Sequence, residues 1–240
     1  DGSSIDKVEN VEHDIADATY NSLVQVNSGT YALAYTGVGE NGFISTFTID
    51  ADGTDITEVD TLEHDIVIAT HNSLVQVDSN TYALAYAGFN DNGFISTFTI
   101  DADGTGISEV ETLEHATNEA THNSLVQVNS NTYVLAYTDA DDDGFISTFT
   151  IGDDGTGITK VKTLEHDTND ATYNSLVQVD SDTYALAYTG VDDDGYISTF
   201  NIFSSGEAVK VNPPPYLVDE ILVSVESNDS VIIDENNPAN

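Results

Sequence analysis

Four Glu-His pairs recur along the chain: Glu12-His13, Glu63-His64, Glu114-His115 and Glu165-His166, each 51 residues after the last. An imidazole beside a carboxylate can bind a transition metal or offer polar groups to a sugar-like ligand. The same pair can also fasten a loop, with the ring bonded to a nearby carboxylate. No unit holds the close-spaced second His of a zinc motif. Seven residues beyond each His comes Tyr20, His71, His122 or Tyr173. An exchange of Tyr for His marks a half-exposed aromatic position suited to stacking on a ligand. These twelve residues are the candidate ligand-binding set.

Two acidic turns recur as well. One reads Glu40-Asn41-Gly42, Asp91-Asn92-Gly93, Asp141-Asp142-Asp143-Gly144 and Asp192-Asp193-Asp194-Gly195; the other reads Asp50-Ala51-Asp52-Gly53, Asp101-Ala102-Asp103-Gly104 and Asp153-Asp154-Gly155. Asp-x-Asp-Gly resembles the first half of a calcium loop, in which alternating carboxylates converge on one hard cation. The distal Glu of the EF-hand is absent, and Asp and Gly are also the ordinary residues of tight turns. Both readings stand. The candidate calcium ligands are Asp50, Asp52, Asp101, Asp103, Asp141, Asp143, Asp153, Asp192 and Asp194. Catalytic signals are weak. The Ser and Thr residues lie in strand patterns with no nucleophile elbow. Carboxylates are so abundant that two at glycosidase spacing would arise by chance.

The elements that carry these residues repeat with the same period. Asn-Ser-Leu-Val-Gln-Val begins at Asn21, Asn72, Asn123 and Asn174, and Gly-Phe/Tyr-Ile-Ser-Thr-Phe at Gly42, Gly93, Gly144 and Gly195. A fixed period in this range means stacked or radial units sharing one core. The second unit shows the pattern. Residues 73–77 alternate; 81–86 place Tyr82, Leu84 and Tyr86 on one face and Ala83 and Ala85 on the other. Residues 94–100 are β-branched and aromatic, and 107–113 are more polar. Gly93 is expected at a positive φ in the hairpin after Asn92. A longer link, residues 114–123, leads to the next unit. Four antiparallel strands joined by short hairpins, followed by a longer connection, describe a β-propeller blade. The fold class expected is all-β: a four-bladed β-propeller built from four 51-residue repeats, four antiparallel strands per blade. Gln25, Gln76, Gln127 and Gln178 sit on the innermost strands and are expected to bond backbone groups of the next blade.

The opening residues 1–8 match 52–59, a fourth-strand sequence, and a degenerate copy follows at 206–211. Either end strand could complete the last blade, and the first could close the ring. Residues 1–211 therefore form the propeller. Residues 212–240 are a Pro-rich linker and tail, with strand-like stretches at 217–224 and 230–233.

Four Lys and no Arg stand against 43 acidic residues, a formal charge of −39. That balance excludes nucleic acid, whose binding needs cations to displace counterions, and disfavours anionic membranes. Such self-repulsion calls for high salt or bound divalent cations. There is no Cys, and no apolar run approaches the roughly 18 residues of a membrane span. The units resemble β-propeller repeats of surface and secreted proteins from marine archaea and bacteria. They are similar in length to kelch repeats and share acidic turns with FG-GAP blades. The resemblance implies a secreted or cell-surface location. It also implies a non-catalytic propeller that binds a surface ligand or glycan with calcium's help. A structural subunit of a surface layer, joined to copies of itself through the tail, is the alternative; a polysaccharide-active enzyme is the weaker one.

Overall fold

The structure is a computed structural model that describes residues 3–203, 224–226 and 230–232. The chain divides into two compact units, Asp1–Ile202 and Phe203–Asn240. In the second unit only a short antiparallel pair is described, Ser224–Glu226 with Ser230–Ile232. The copy at 206–211 and most of the expected tail strands lie outside the described residues.

The first unit holds the repeats as antiparallel sheets. The first comprises β1 (Thr19–Gln25), β2 (Thr30–Thr36), β3 (Gly42–Ile49) and β4 (Ile56–Asp65). The second comprises β5 (Thr70–Asp78), β6 (Thr81–Ala87), β7 (Asn92–Thr99) and β8 (Ser108–Glu119). The third comprises β9 (Thr121–Asn129), β10 (Thr132–Thr138), β11 (Gly144–Thr150) and β12 (Thr159–Asp167). The fourth comprises β13 (Thr172–Gln178), β14 (Thr183–Thr189) and β15 (Gly195–Asn201). Within each sheet the strands lie in chain order. The first strands neighbour one another in the series β1, β5, β9, β13. This is the all-β, four-bladed propeller that the period predicts. Among the described residues the fourth blade has three strands, and the stretch expected to give its fourth lies outside them. The N-terminal residues form no strand, and no contact comparable to those between successive blades joins β13 back to β1. The blades form an open array.

Face chemistry explains why the blades stack. Ala32, Ala34 and Ile44 of the first sheet pack under Leu74, Tyr82, Leu84, Tyr86 and Phe98 of the second. Ala83, Ala85 and Ile95 pack likewise under Leu125, Tyr133, Leu135, Tyr137 and Phe149, and Val134, Ala136 and Ile146 under Leu176, Tyr184, Leu186 and Tyr188. Small residues on one face leave room for large ones on the next, giving interior packing density without voids.

The glutamines behave differently from expectation. Gln76, Gln127 and Gln178 donate to the hydroxyls of Tyr82, Tyr133 and Tyr184 at 3.3, 3.0 and 3.1 Å. They satisfy a buried phenol of their own blade; Gln127 alone also reaches a backbone carbonyl of the neighbouring blade, that of Val77, at 3.3 Å. The expected long link also shrinks. β8 runs on through His115 to Glu119, and a single residue, Ala120, precedes β9.

Gly93 proves essential for space, not for a positive φ. The left-handed residues of that hairpin are Asn90 and Asp91, both at φ 58°. A Cβ on Gly93 would stand 2.5 Å from Ala120 Cβ and 2.6 Å from the His115 ring. At Gly29 a Cβ would meet only Ile49 O at 3.8 Å. Gly93→Ala is therefore expected to cost about 1–3 kcal/mol through overpacking. Gly29→Ala should cost far less. Urea melts of both variants check the contrast.

Candidate functional site

The Glu-His pairs divide between seam and surface. The imidazoles of His64, His115 and His166 enter the seam between two sheets and meet the next blade's aromatics edge-on. His64 lies 5.2 Å from the Tyr86 ring and 5.5 Å from Phe98, and His115 lies 5.2 Å from Tyr137 and 5.4 Å from Phe149. His166 sits likewise against Tyr188 and Phe200, and His13 against Tyr35 and Phe47. The structure thus puts the four rings in four separate places and brings none of them to a shared face. The expected bond to a carboxylate is also absent: both ring nitrogens of His64, His115 and His166 are buried without a hydrogen-bond partner. Burial disfavours the charged ring. It pushes His64 down to about 4, and His115, with Lys160 adding its charge, to about 3. The carboxylates stay outside, where Glu63 and Glu114 accept from Asn41 and Asn92 at 2.6 Å.

The aromatic set is brought together. Tyr20, His71, His122 and Tyr173 form a row along the starts of β1, β5, β9 and β13, with ring centroids 4.3, 4.5 and 4.5 Å apart. All four residues hold a left-handed backbone, φ 50–54°. For non-glycine residues that conformation is uncommon and costs free energy. It turns each ring out of the strand's alternation, which accounts for the bulge in the pairing of these strands. Burial, then His122, lowers His71 to about 4. Tyr173 at the end of the row is 72% exposed.

The acidic turns mostly serve themselves. Asp52, Asp103 and Asp154 each accept the hydroxyl of the Thr two residues on at 2.7 Å. That hydroxyl, then the backbone N–H of the same Thr, lowers each carboxyl below its ordinary range. Asp50, Asp101, Asp141, Asp143, Asp153, Asp192 and Asp194 are distributed over five separate turns. Among the described residues no three His, Asp or Glu side chains gather closely enough to hold a metal ion.

A cleft that the motif search did not find lies between the second and third blades. Its volume is about 290 Å³, and Glu114, Glu119, Tyr137, Asp139, Phe145 and Lys160 line it. One of these departs from every other unit: Asp139 stands where they have Gly37, Gly88 and Gly190. Lys160 stands where Glu58 and Glu109 do, and also Lys7, while Glu119 keeps the acidic character of Asp17 and Asp170 that Ile68 lacks. At the three glycines a Cβ would lie 2.6 Å from the ring of Phe43, Phe94 or Tyr196. The third unit keeps its stacking, Tyr137 to Phe145 at 5.6 Å, so its turn gives way instead. The 3-10 turns Val38–Glu40, Phe89–Asp91 and Val191–Asp193 have no counterpart there. Asp139 Oδ1 accepts the N–H groups of Asp141 and Asp143, each at 3.1 Å. Glu119 is raised by desolvation and then by Asp91, Asp142 and Asp139. Lys160 donates to His115 O at 3.1 Å, sits 5.9 Å over the Tyr137 ring, and is lowered by desolvation. Asp142 acts electrostatically on both Glu119 and His122, linking cleft and aromatic row. The legible signal was departure from the repeat, rather than the repeat itself.

No family model and no curated protein matches this sequence. Solved structures do match. A protein from Lactobacillus plantarum is 16% identical with a TM-score of 0.55, covering 77% of this chain and 53% of its own. The periplasmic gluconolactonase of Pseudomonas aeruginosa is 13% identical at 0.54, covering 78% and 58%. An exo-β-1,3-galactanase, so titled as putative, from Bifidobacterium bifidum is 14% identical at 0.50, covering 78% and 68%. The likeness shows a propeller-like fold. The chain spans little more than half the length of the first two. These matches overturn the expectation of a non-catalytic binding propeller that is not an enzyme: structures sharing this fold carry the names of hydrolytic enzymes.

The seam histidines give a pH prediction. Their folded pKa is depressed, so folding releases protons below the ordinary value of 6.5. Their stabilisation is complete above pH 6.5 and is lost as pH falls toward about 4 for His64 and about 3 for His115. The melting temperature should therefore drop as pH falls from about 6.5 to 5, the upper part of that window, where ordinary carboxylates stay ionised. His115→Phe should flatten that slope; calorimetry across the window checks both.

Proposed function

We propose that the chain hydrolyses a glycosidic bond in a neutral saccharide at the cleft between the second and third blades. The observation that carries this reading is the gathering of Glu119, Lys160 and Asp139, the last found in no other unit at its place, at one cleft of an otherwise repeating chain. Glycoside hydrolysis needs one carboxyl kept protonated to give its proton to the leaving oxygen. A second carboxylate activates water or meets the sugar carbon. Glu119 fits the first role, because desolvation, then Asp91, Asp142 and Asp139, raise its carboxyl above the ordinary range. Asp139, held by two backbone N–H groups on Oδ1, presents Oδ2 for the second. Sugar rings stack on aromatic faces, and the row from Tyr20 to Tyr173 supplies four. The charge of −39 disfavours phosphorylated or uronic substrates and favours neutral ones. The names of the similar gluconolactonase and galactanase support sugar chemistry on this fold.

The test is release of reducing ends from β-1,3-galacto-oligosaccharides, run beside hydrolysis of a gluconolactone. The native chain should cleave the glycoside. Glu119→Gln should lower kcat by about 10²-fold or more, and Asp139→Asn similarly, with both variants melting as the native chain does. Lactone opening without glycoside cleavage would overturn the glycosidic assignment, and turnover unaffected by either variant would overturn the site.

A further inference from the structure

The middle of the aromatic row departs from its ends in chemistry, though not in backbone. Tyr20 and Tyr173 hold the place in the first and fourth units that His71 and His122 hold in the second and third. All four share the left-handed conformation, φ 50–54°. The two histidines are therefore neighbours, with ring centroids 4.5 Å apart and planes inclined by 56°. This is the one imidazole–imidazole contact among the described residues. The rings sit on β5 and β9, which lie side by side in successive blades.

Access separates this pair from the seam histidines. The ring nitrogens of His64, His115 and His166 are buried without partners, whereas none of His71 or His122 is. Both residues are half-buried. Among the described residues no hydrogen bond holds a ring nitrogen of His71. His122 Nδ1 lies 3.3 Å from Thr121 Oγ1, and that hydroxyl donates to Thr138 O at 3.5 Å. With its proton turned to the carbonyl, the hydroxyl accepts from Nδ1–H and leaves the lone pair on Nε2. The separation of the rings has a coordination geometry. A divalent ion about 2.1 Å from each coordinating nitrogen would lie about 3.2 Å from each ring centre. Ring centres 4.5 Å apart then subtend about 90° at the ion, whereas a tetrahedral ion would set them about 5.2 Å apart. A right angle is the cis edge of a square-planar or tetragonal ion, the geometry of Cu(II) and Ni(II) with nitrogen and oxygen ligands.

We infer that His71 and His122 form a two-imidazole site for a tetragonal divalent ion, Cu(II) before the others, with water in the remaining positions. Cu(II) stands at the top of the affinity order for such nitrogen ligands. The net charge of −39 draws divalent cations to the surface, and the charge of Asp142 reaches His122 itself. Tyr20 and Tyr173 flank the pair, their rings 4.3 and 4.5 Å from the imidazoles. An ion held there joins the second blade to the third, so it binds the folded array and not the unfolded chain, and stabilises it by that difference.

The repeat itself supplies the control. Tyr20 and Tyr173 occupy the same backbone at φ 51° and 53°, so His71→Tyr, His122→Tyr and the double variant should fold and keep the row. The full chain is titrated with Cu(II) in about 1 M salt, where screening to about 3 Å suppresses diffuse binding to carboxylates. The pH is held about one unit above the ordinary imidazole value. Calorimetry should give one tightly held ion per chain. Each single variant should weaken that step about 10-fold or more, since two linked contacts become one. Electron paramagnetic resonance of the equimolar complex should show tetragonal Cu(II) coupled to the nitrogens of two imidazoles, and of one in each single variant. Equal affinity in the native chain and the double variant overturns the inference. Nitrogen coupling that persists in the double variant assigns the ion to other histidines and overturns it too, as does a native spectrum of oxygen donors alone. The inference stands apart from the catalytic reading, because these variants leave Glu119, Asp139 and Lys160 in place.

Discussion

Every other feature of this protein rests on the seam where one sheet lies on the next. A four-stranded unit of this length exposes an apolar layer on both faces and cannot bury either by itself. The chain solves this by making the two faces unlike. Ala32, Ala34 and Ile44 give a shallow face, and Tyr82, Leu84 and Phe98 give the deep one that fills it. Burying a large side chain contributes roughly 1.5–3 kcal/mol. A blade therefore gains most of its stability only when it has a successor. The seam also explains the histidines. A ring inserted beside Gly93 and Ala120 fits because neither neighbour adds bulk there, and burial disfavours its charged form.

The architecture was legible in the sequence because it is written four times. Alternation at Tyr82, Ala83, Leu84 and Ala85 disclosed both faces of β6, and the 51-residue offset disclosed their stacking. Harder to read were residues whose type has two physical uses. Gly93 follows an Asn and suggests a turn, yet its lack of a Cβ is needed across the seam. The Glu-His pairs suggest a site, yet consecutive residues of a strand point to opposite sides, so the ring goes inward while its carboxylate partner stays out. The Asp-x-Asp-Gly turns suggest calcium, yet a Thr two residues on takes one carboxylate for the turn itself.

The candidate site was illegible for the opposite reason. Searching for what recurs cannot find what occurs once. Asp139 breaks a position where three glycines are obliged to make room for an aromatic ring, and the turn around it changes to admit the side chain. Lys160 is one of only four cations in the chain, and Lys7 holds the same place in the repeat. Asp139 alters a tight turn, and Lys160 gives up solvation for the carbonyl of His115 and the face of Tyr137. A repeat can carry such departures because its neighbours' seams hold the scaffold in place, so local strain at one seam is tolerated by the rest.

The aromatic row shows how symmetry and asymmetry combine. Duplication alone places four rings in line, at the same strand start and with the same strained backbone, since each unit inherits both. It does not make the four positions equivalent. His71 and His122 crowd each other in the middle, where burial favours their neutral forms, while Tyr20 and Tyr173 flank them with exposed phenols. A row with uncharged imidazoles at its centre and hydroxyls at its ends can stack a ring and hydrogen-bond its edge. Asp142 then ties this repeated surface to the single cleft through its charge. The fold supplies the aromatic position four times over, and one altered seam marks where the proposed chemistry would take place.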